Sequence, residues 1–152
     1  MNSLSRYQQL NPLERGLLFK ELKEKQKLSY RQIARQIGKS PAYVVNSVRL
    51  LTLPEAIKDG LVGGLITEGH ARALLALDDF RQAIEVYKTV LKTHASVRQT
   101  EELVRQVRQQ LQQQRQINWL KVKALIEDFL GERFVSIKVR QSRRRLTLIF
   151  DR

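Results

Sequence analysis

The chain has 152 residues, of which 42% are hydrophobic, and it carries a formal net charge of +13. Cysteine is absent, which excludes disulfides and thiolate metal sites, and no apolar run approaches the roughly 20 residues that cross a bilayer. We therefore expect a cytoplasmic protein of one or two domains with no membrane partner, whose positive charge favours a polyanion such as nucleic acid.

The first two thirds of the chain have the pattern of short helices separated by capping residues. Asn11, Pro12 and Glu14 form a capping-box signature that predicts a first helix, with Pro12 at its first position. The same signature recurs at Ser29–Gln32 and at Ser96–Gln99. Further helices are predicted from Pro54 to about Val62, from Glu68 to about Leu77, from Phe80 to about Thr93 and from Val97 to about Gln116.

Residues 29–51, SYRQIARQIGKSPAYVVNSVRLL, have the pattern of a helix-turn-helix. Ser29 caps a first helix, Gly38 suits a left-handed turn, and Ser40 with Pro41 begins a second helix. In this motif the second helix enters the major groove of DNA. The positions of the second helix that we expect to be exposed are Ala42, Tyr43, Asn46, Ser47 and Arg49.

The charge pattern around this motif points the same way. The run from Lys25 to Pro54 contains six Lys or Arg residues and no Asp or Glu. Phosphates would repel a carboxylate, whereas cations gain by releasing counterions from DNA. The cations concerned are Arg31, Arg35, Lys39 and Arg49. Asn46 could pair with adenine, and Arg49 with guanine or phosphate, although an αα-hairpin whose charges only solvate it would share the pattern.

The chain changes character after about residue 105. The segment QQLQQQRQ (109–116) has one apolar residue in eight, which predicts a solvated helix extension or a linker. Beyond it, helical spacing up to Gly131 is followed by two segments of alternating apolar residues, which predict a helix and a β-hairpin. We place an N-terminal tail at 1–9, a DNA-binding domain at 10–105, a Gln-rich linker at 106–116 and an αββ module at 117–152.

The αββ module is too small to bury a stable core alone, so we expect it to pair with a second copy. The residues assigned to this dimerisation surface are Trp119, Val122, Leu125, Ile126, Phe129, Val135, Ile137, Val139, Leu146, Leu148 and Phe150. The hairpin also carries five clustered cations, Lys138, Arg140, Arg143, Arg144 and Arg145. They could protect the sheet edge from association or form a patch that binds DNA without sequence preference.

The sequence contains little that suggests catalysis. His70 and His94 are the two histidines, and neither has a ligand partner at metal-binding spacing. Acidic pairs such as Asp78–Asp79 suit the start of a helix, where carboxylates are favoured by the helix dipole. We therefore expect a binding protein with no metal, and not an enzyme.

Three specific motifs occur in the chain: GKS followed by VxNxxRLLxLP within residues 38–54, GHARALL at 69–75 and SVRQTEELV at 96–104. In these motifs, and over most of its length, the chain resembles the ParB family of chromosome and plasmid partition proteins. Residues 10–77 resemble the central DNA-binding domain of that family. Residues 119–152 are similar, less specifically, to its carboxyl-terminal dimerisation domain. The fold implied is mainly α, a helix-turn-helix multi-helix domain followed by a small α+β module.

The resemblance implies a nucleoid-associated protein that binds specific double-stranded DNA in chromosome or plasmid segregation. Carried over by position, the family's contacts to its centromere-like site fall on Gly38, Lys39, Ser40, Pro41, Asn46, Ser47 and, on a separate helix, Arg72. Together with Arg31, Tyr43 and Arg49, these residues form the predicted DNA-binding surface. A homodimer would present two helix-turn-helix units to a palindromic, parS-like site in successive major grooves.

The family also has features that this sequence lacks. Typical members carry an amino-terminal domain that binds and hydrolyses CTP and a segment that engages a ParA-type ATPase. No Gly-rich phosphate loop occurs here, because GLVGG (60–64) is typical of a helix end, so we expect no cofactor. A ParA-type partner is expected only if a further amino-terminal segment exists. Two alternatives stay open: a transcriptional repressor or nucleoid-associated protein built on the same domain, and a basic interaction module that binds RNA or acidic protein.

Overall fold

The computed structural model describes residues 7–130, 136–141 and 146–151. The helices in these residues are α1 (Pro12–Lys25), α2 (Tyr30–Gln36), α3 (Pro41–Leu50), α4 (Glu55–Val62), α5 (Glu68–Leu74), α6 (Phe80–Thr93) and α7 (Val97–Leu130). The strands are β1 (Ser136–Gln141) and β2 (Leu146–Asp151). The chain divides into two compact units, Met1–Val107 and Arg108–Arg152. Within the described ranges, no helix has the length and apolarity needed to cross a membrane.

The predicted capping boxes are confirmed where α1 and α2 begin. The side-chain oxygen of Asn11 accepts hydrogen bonds from the backbone N–H groups of Leu13 and Glu14, both at 2.9 Å. In return, the Glu14 carboxylate accepts the Asn11 N–H at 2.9 Å. Ser29 and Gln32 exchange the equivalent hydrogen bonds at 2.8 and 3.3 Å. These bonds satisfy N–H groups that a helix start otherwise leaves unpaired, which is why local sequence predicted them.

Two helix boundaries differ from the sequence-based expectation. Helix α5 ends at Leu74 and not near Leu77, because a turn after Leu75 directs Leu77 into the core, where it is 6% exposed. Helix α7 does not end near Gln116 but continues to Leu130, so residues 109–116 form the predicted helix extension and not a linker. Glutamine has a high helix propensity, so a segment with little apolar surface can still extend an existing helix.

The core of the first unit consists of two clusters of buried side chains. The first cluster contains Tyr7, Phe19, Leu22, Ile33, Ala34 and Val44, and it joins α1 to the helix-turn-helix of α2 and α3. The second cluster runs from Leu50 through α4, α5 and α6 to Val104. Phe19 is fully buried, and its ring lies 6.2 Å from that of Tyr7 and 6.4 Å from that of Tyr43. Helix α1 therefore packs against α3, the candidate recognition helix, through this cluster.

A glycine allows α1 to approach α3 very closely. A Cβ atom at Gly16 would overlap the carbonyl oxygen of Ser47 and lie 3.2 Å from Cγ of Leu51. No other residue type could occupy this position without displacing one of the two helices. The close contact fixes the distance between α1 and the helix predicted to read DNA.

In the second unit, β1 and β2 pair antiparallel, with Ile137 opposite Phe150 and Val139 opposite Leu148. On α7, Leu120, Val122 and Leu125 are 57%, 43% and 69% exposed. The side chains of Trp119, Phe129 and both strands lie outside the described part of the chain, as do residues Val135, Arg143, Arg144 and Arg145. Dimerisation through this unit, and a DNA-binding role for its basic residues, stay predictions.

His94 is expected to be a destabilising residue where α6 ends. It adopts a left-handed conformation with φ 49° and ψ 41°. Because this conformation is free of strain only for glycine, His94→Gly should raise the free energy of unfolding by about 0.5–1 kcal/mol. Urea titration followed by circular dichroism would measure the change. The control is Lys92→Gly inside the helix, which should lower stability by about 1 kcal/mol; equal effects would contradict the explanation.

Candidate nucleic-acid interface

The turn between α2 and α3 forms one side of the candidate interface. Gly38 has φ +65°, which confirms the predicted left-handed turn, and apart from its chain neighbours no described residue comes within 4 Å of the position that a Cβ atom would take. The Ser40 hydroxyl accepts the Tyr43 N–H at 3.2 Å and so caps α3. Gly38, Lys39, Ser40 and Pro41 are all exposed. The turn therefore presents a cation and the N-terminus of α3, an arrangement that favours phosphate.

The structure corrects the prediction for Ser47, which is fully buried and not exposed. Its hydroxyl donates a hydrogen bond to the Tyr43 carbonyl at 3.0 Å, inside α3. Val44 and Leu50 are the other buried residues of the helix, so Ser47 lies on the face that packs against α1. The sequence analysis had placed Ser47 among the exposed positions of the second helix. Ser47 cannot reach a base edge in this arrangement.

Asn46 is near the middle of α3, and its side chain is half-buried. Within the residues that the structure describes, its amide has no hydrogen-bond partner. A carboxamide offers a donor and an acceptor together, the combination that pairs with adenine in the major groove. Asn46 is therefore the polar residue of α3 that is best placed to read a base.

Tyr43 has a structural role in addition to its predicted one. Its ring contacts Phe19, and the Lys39 ammonium lies 5.9 Å from the ring centroid. Burial raises the pKa of Tyr43, while the charges of Arg15 and Glu68 act on it in opposite directions. The ordinary pKa of tyrosine is about 10, so a phenol whose pKa is raised is neutral near pH 7 and does not repel phosphate.

The predicted site arginines fall into two groups. Arg31 and Arg35 on α2 and Arg72 on α5 are exposed, and in the described ranges none of their side chains forms an ion pair or a hydrogen bond. Arg49 is also exposed, but its guanidinium donates a hydrogen bond to the Leu75 carbonyl at 3.2 Å. Arg49 thus links α3 to the end of α5, and its contact with DNA remains a prediction.

The carboxylate-free run has a direct structural consequence. Other cations of the chain do find carboxylates, such as Lys58 with Glu55 and Lys88 with Glu85, both at 2.8 Å. For the part of the chain that the structure describes, no such partner meets Arg31, Arg35 or Lys39. Their charge is therefore available to an external anion.

His70 and Glu102 of α7 have structural partners. His70 Nδ1 is 2.7 Å from the Thr67 hydroxyl, and Nε2 is 2.9 Å from the Ala95 carbonyl, which connects the start of α5 to the loop before α7. Hydrogen bonds from Arg105 and Gln106 lower the pKa of Glu102 to about 2. No group of three or more metal-binding side chains occurs among the described residues.

Sequence reasoning missed an ion pair beside the interface. Arg15 of α1 and Glu68 of α5 are 2.6 Å apart, with side chains only 15% and 27% exposed. The two residues are 53 positions apart in the chain. No local pattern could have paired them.

Comparison with known proteins places this geometry in context. Residues 8–109 match the family model of the ParB HTH domain. A probable chromosome-partitioning protein ParB of Pseudomonas putida is 48% identical over 73 residues, 48% of this chain and 25% of that protein. A nucleoid occlusion protein of Listeria innocua is 31% identical over 83 residues, 55% of this chain and 29% of that protein.

A solved structure provides the second comparison. The DNA-binding domain of a chromosome-partitioning protein ParB, complexed to the centromeric parS site, is 40% identical with a TM-score of 0.63. The match covers 67% of this chain and 84% of that chain. By contrast, the part of this chain that matches the Pseudomonas putida relative spans 25% of that protein's length.

Proposed function

The chain belongs to the ParB HTH domain family, and we propose that it binds a palindromic, centromere-like site on double-stranded DNA in chromosome or plasmid partition. The observation that carries the proposal is the surface around the start of α3. That surface contains the exposed turn Gly38–Pro41, cations without a carboxylate partner in the described chain, and the amide of Asn46. Cations bind the phosphate backbone, and the amide can discriminate between bases. The related domain bound to parS supports this assignment.

The mechanism that we propose is binding and not catalysis, by a homodimer. Exposed apolar residues on α7, at Leu120, Val122 and Leu125, offer a surface for a second copy. A two-stranded sheet such as β1–β2 is marginal in water, so the αββ module gains stability by pairing. Two copies would place two recognition helices on a palindrome. Lys138 and Arg140 of β1 would then add contacts to DNA without sequence preference.

The setting of this activity is also part of the proposal. A cytoplasmic, nucleoid-associated protein would follow from DNA binding. Because the matched part of the chain is about a quarter of the Pseudomonas putida relative, the segregation role concerns the whole protein. We propose a ParA-type ATPase partner only for a protein with a further amino-terminal segment.

The decisive test is selection of bound duplexes from a random pool, with affinities measured at two salt concentrations. Enrichment of a palindrome whose preference persists at the higher salt is the expected result. Binding without enrichment that collapses as salt rises would contradict the proposal, since counterion release alone gives that behaviour. Retention of RNA or acidic protein in the presence of excess duplex DNA would favour the basic interaction module instead.

Asn46→Ala should relax sequence preference at one position of each half-site. The loss of a bidentate contact to a base is expected to reduce discrimination there by about 1–3 kcal/mol. Repeating the pool selection with the variant would measure it. The control is Ser47→Ala, the neighbouring buried residue, which should leave the preferred site unchanged. Altered preference in Ser47→Ala but not in Asn46→Ala would show that α3 presents a different face to DNA.

Lys39→Ala should weaken binding to all duplexes by a similar factor. Because Lys39 is a candidate phosphate contact, its loss should reduce the slope of log K against log salt by about 0.9. Titrations at several salt concentrations would give the slope. Lys92→Ala removes an exposed cation from α6 and should leave the slope unchanged; equal slopes in both variants would contradict a phosphate contact at Lys39.

A second function within DNA binding has one observation in its favour. The Listeria innocua relative, 31% identical over 83 residues, is a nucleoid occlusion protein, so the same domain is used outside partition. Mapping bound sites across the replicon separates the possibilities. A few clustered sites would favour partition, whereas sites dispersed over the chromosome would favour nucleoid occlusion and sites at promoters would favour repression.

A further inference from the structure

We propose that Arg15 and Arg49 are positioning residues that hold α5 at its two ends and so set where Arg72 meets DNA relative to α3. This inference rests on the proposed function, because it assigns these residues a role in reading the same site. Arg72 is exposed on α5 and, among the described residues, has no partner that would orient it. Its contribution to specificity therefore depends on a defined position for the helix that carries it.

Helix α5 does not have the means to hold itself in place. It has seven residues, well below the roughly 12–15 at which an isolated helix becomes even marginally stable. Its buried residues, Ala71 and Leu74, pack into the second cluster. Apolar packing is non-directional, so it holds α5 against the core without specifying the orientation of its axis. Directional polar contacts are needed for that.

The first such contact is at the start of α5. Glu68 is in the first turn, and its carboxylate accepts a hydrogen bond from Arg15 of α1 at 2.6 Å. A second guanidinium nitrogen of Arg15 donates to the Leu10 carbonyl at 3.3 Å, which fixes the arginine itself. Because both side chains are largely buried, solvent and salt screen this pair less than an exposed one. The pair is thus a directional link from α1 to α5.

The second contact is at the other end of the same helix. Leu75 is the C-cap residue of α5, and its carbonyl accepts a hydrogen bond from Arg49 of α3 at 3.2 Å. Carbonyl groups at a helix C-terminus lack partners within the helix and attract cations. Two arginines therefore hold α5 at two points, and two points define the direction of an axis.

Both arginines connect the position of α5 to that of the recognition helix. Arg49 belongs to α3 itself. Arg15 immediately precedes Gly16, where the backbone of α1 packs directly against the Ser47 carbonyl of α3. The close contact between α1 and α3 is therefore at the residue next to the ion pair. Any shift of α5 relative to α3 would have to break one of the two contacts.

A contribution to stability alone explains the pair poorly. Desolvation of two charges largely offsets their attraction, so apolar residues of similar volume are often equally stabilising. In addition, Nε of Arg15 is buried without a hydrogen-bond partner in the part of the chain that the structure describes. A pair that leaves a polar atom unsatisfied is better explained by the geometry that it enforces.

The test uses the complete chain and three sets of variants. Glu68→Ala removes the link at one end of α5, and the double replacement Arg15→Met with Glu68→Leu substitutes apolar contact for it. The double replacement should keep the melting temperature, so a loss of binding in it cannot be attributed to unfolding. Glu85→Ala is the matched control, because it removes a carboxylate from an exposed ion pair on α6, 2.8 Å from Lys88.

Two readouts are needed. Hydrogen exchange should accelerate at the amides of Ala71, inside α5, and of Leu75, its C-cap residue, and not in α3. Affinity for the selected duplex should fall about tenfold in both variants, the effect of one misplaced charged hydrogen bond, with no change for a scrambled duplex. In an Arg72→Ala background the same variants should not lower the affinity for the selected duplex any further. The Glu85→Ala control should match the unchanged chain in both readouts.

Three outcomes would overturn the inference. Unchanged exchange in α5 would show that the Arg15–Glu68 pair does not hold it. Accelerated exchange with an affinity loss that adds to that of Arg72→Ala would show that α5 moves without affecting Arg72. An equal loss for selected and scrambled duplexes would indicate a general effect of charge. If the unchanged chain itself prefers no duplex, the proposed function fails, and exchange in α5 still decides separately whether the Arg15–Glu68 pair holds the helix.

Discussion

Phe19→Ala should lower the free energy of unfolding of the helix-turn-helix unit by about 3–5 kcal/mol. Phe19 is 0% exposed at the centre of the first cluster, where its ring contacts those of Tyr7 and Tyr43. Removing the ring leaves a cavity between α1 and α3, and the Tyr43 ring of α3 loses its contact with Phe19. Because natural domains are stable by only about 5–15 kcal/mol, DNA binding should fall with stability.

Urea titration followed by circular dichroism would measure this loss. Leu17→Ala is the control, since Leu17 is on the same helix but 53% exposed. Its effect should stay within about 0.5 kcal/mol. A loss below about 1.5 kcal/mol for Phe19→Ala would mean that the first cluster collapses around the cavity, and that α1 is not the main support of α3.

Gly16→Ala should destabilise the same unit by about 1–3 kcal/mol, although alanine is normally the better helix former by about 1 kcal/mol. The new methyl group would overlap the Ser47 carbonyl, which is backbone and cannot rotate away. Relief therefore requires α1 to move off α3. The movement should also stretch the Arg15–Glu68 pair, so affinity for the selected duplex should fall further than stability alone predicts.

The same denaturation and binding assays apply to Gly16→Ala, with Lys20→Ala as the control. Lys20 is exposed on α1, so its replacement by alanine tests the effect of helix propensity without a new contact. Stabilisation by Gly16→Ala would contradict the close approach of the two helices. Lost stability with unchanged relative affinities for selected and scrambled duplexes would show that the spacing of α1 and α3 does not matter for recognition.

The local features of the domain were determined by the sequence itself. The capping boxes at Asn11 and Ser29, the left-handed turn at Gly38 and the start of α3 at Ser40 were all predicted. Each depends on interactions between residues no more than five positions apart, which a single stretch of sequence contains. The absence of carboxylates around the motif led to the prediction that its cations contact phosphate, which stays a prediction. The family motifs added the likeness to partition proteins.

What only the tertiary structure decided involves residues distant in the chain. Ser47 is buried because α1 covers it at Gly16, and nothing within α3 reveals which face α1 will cover. Arg49 bonds to Leu75, 26 positions away, and Arg15 pairs with Glu68 across 53 positions. Such contacts arise when packed helices bring side chains together, and packing depends on the shapes of all the helices at once. Sequence periodicity indicates the buried face of one helix, but it does not indicate which other helix packs against that face.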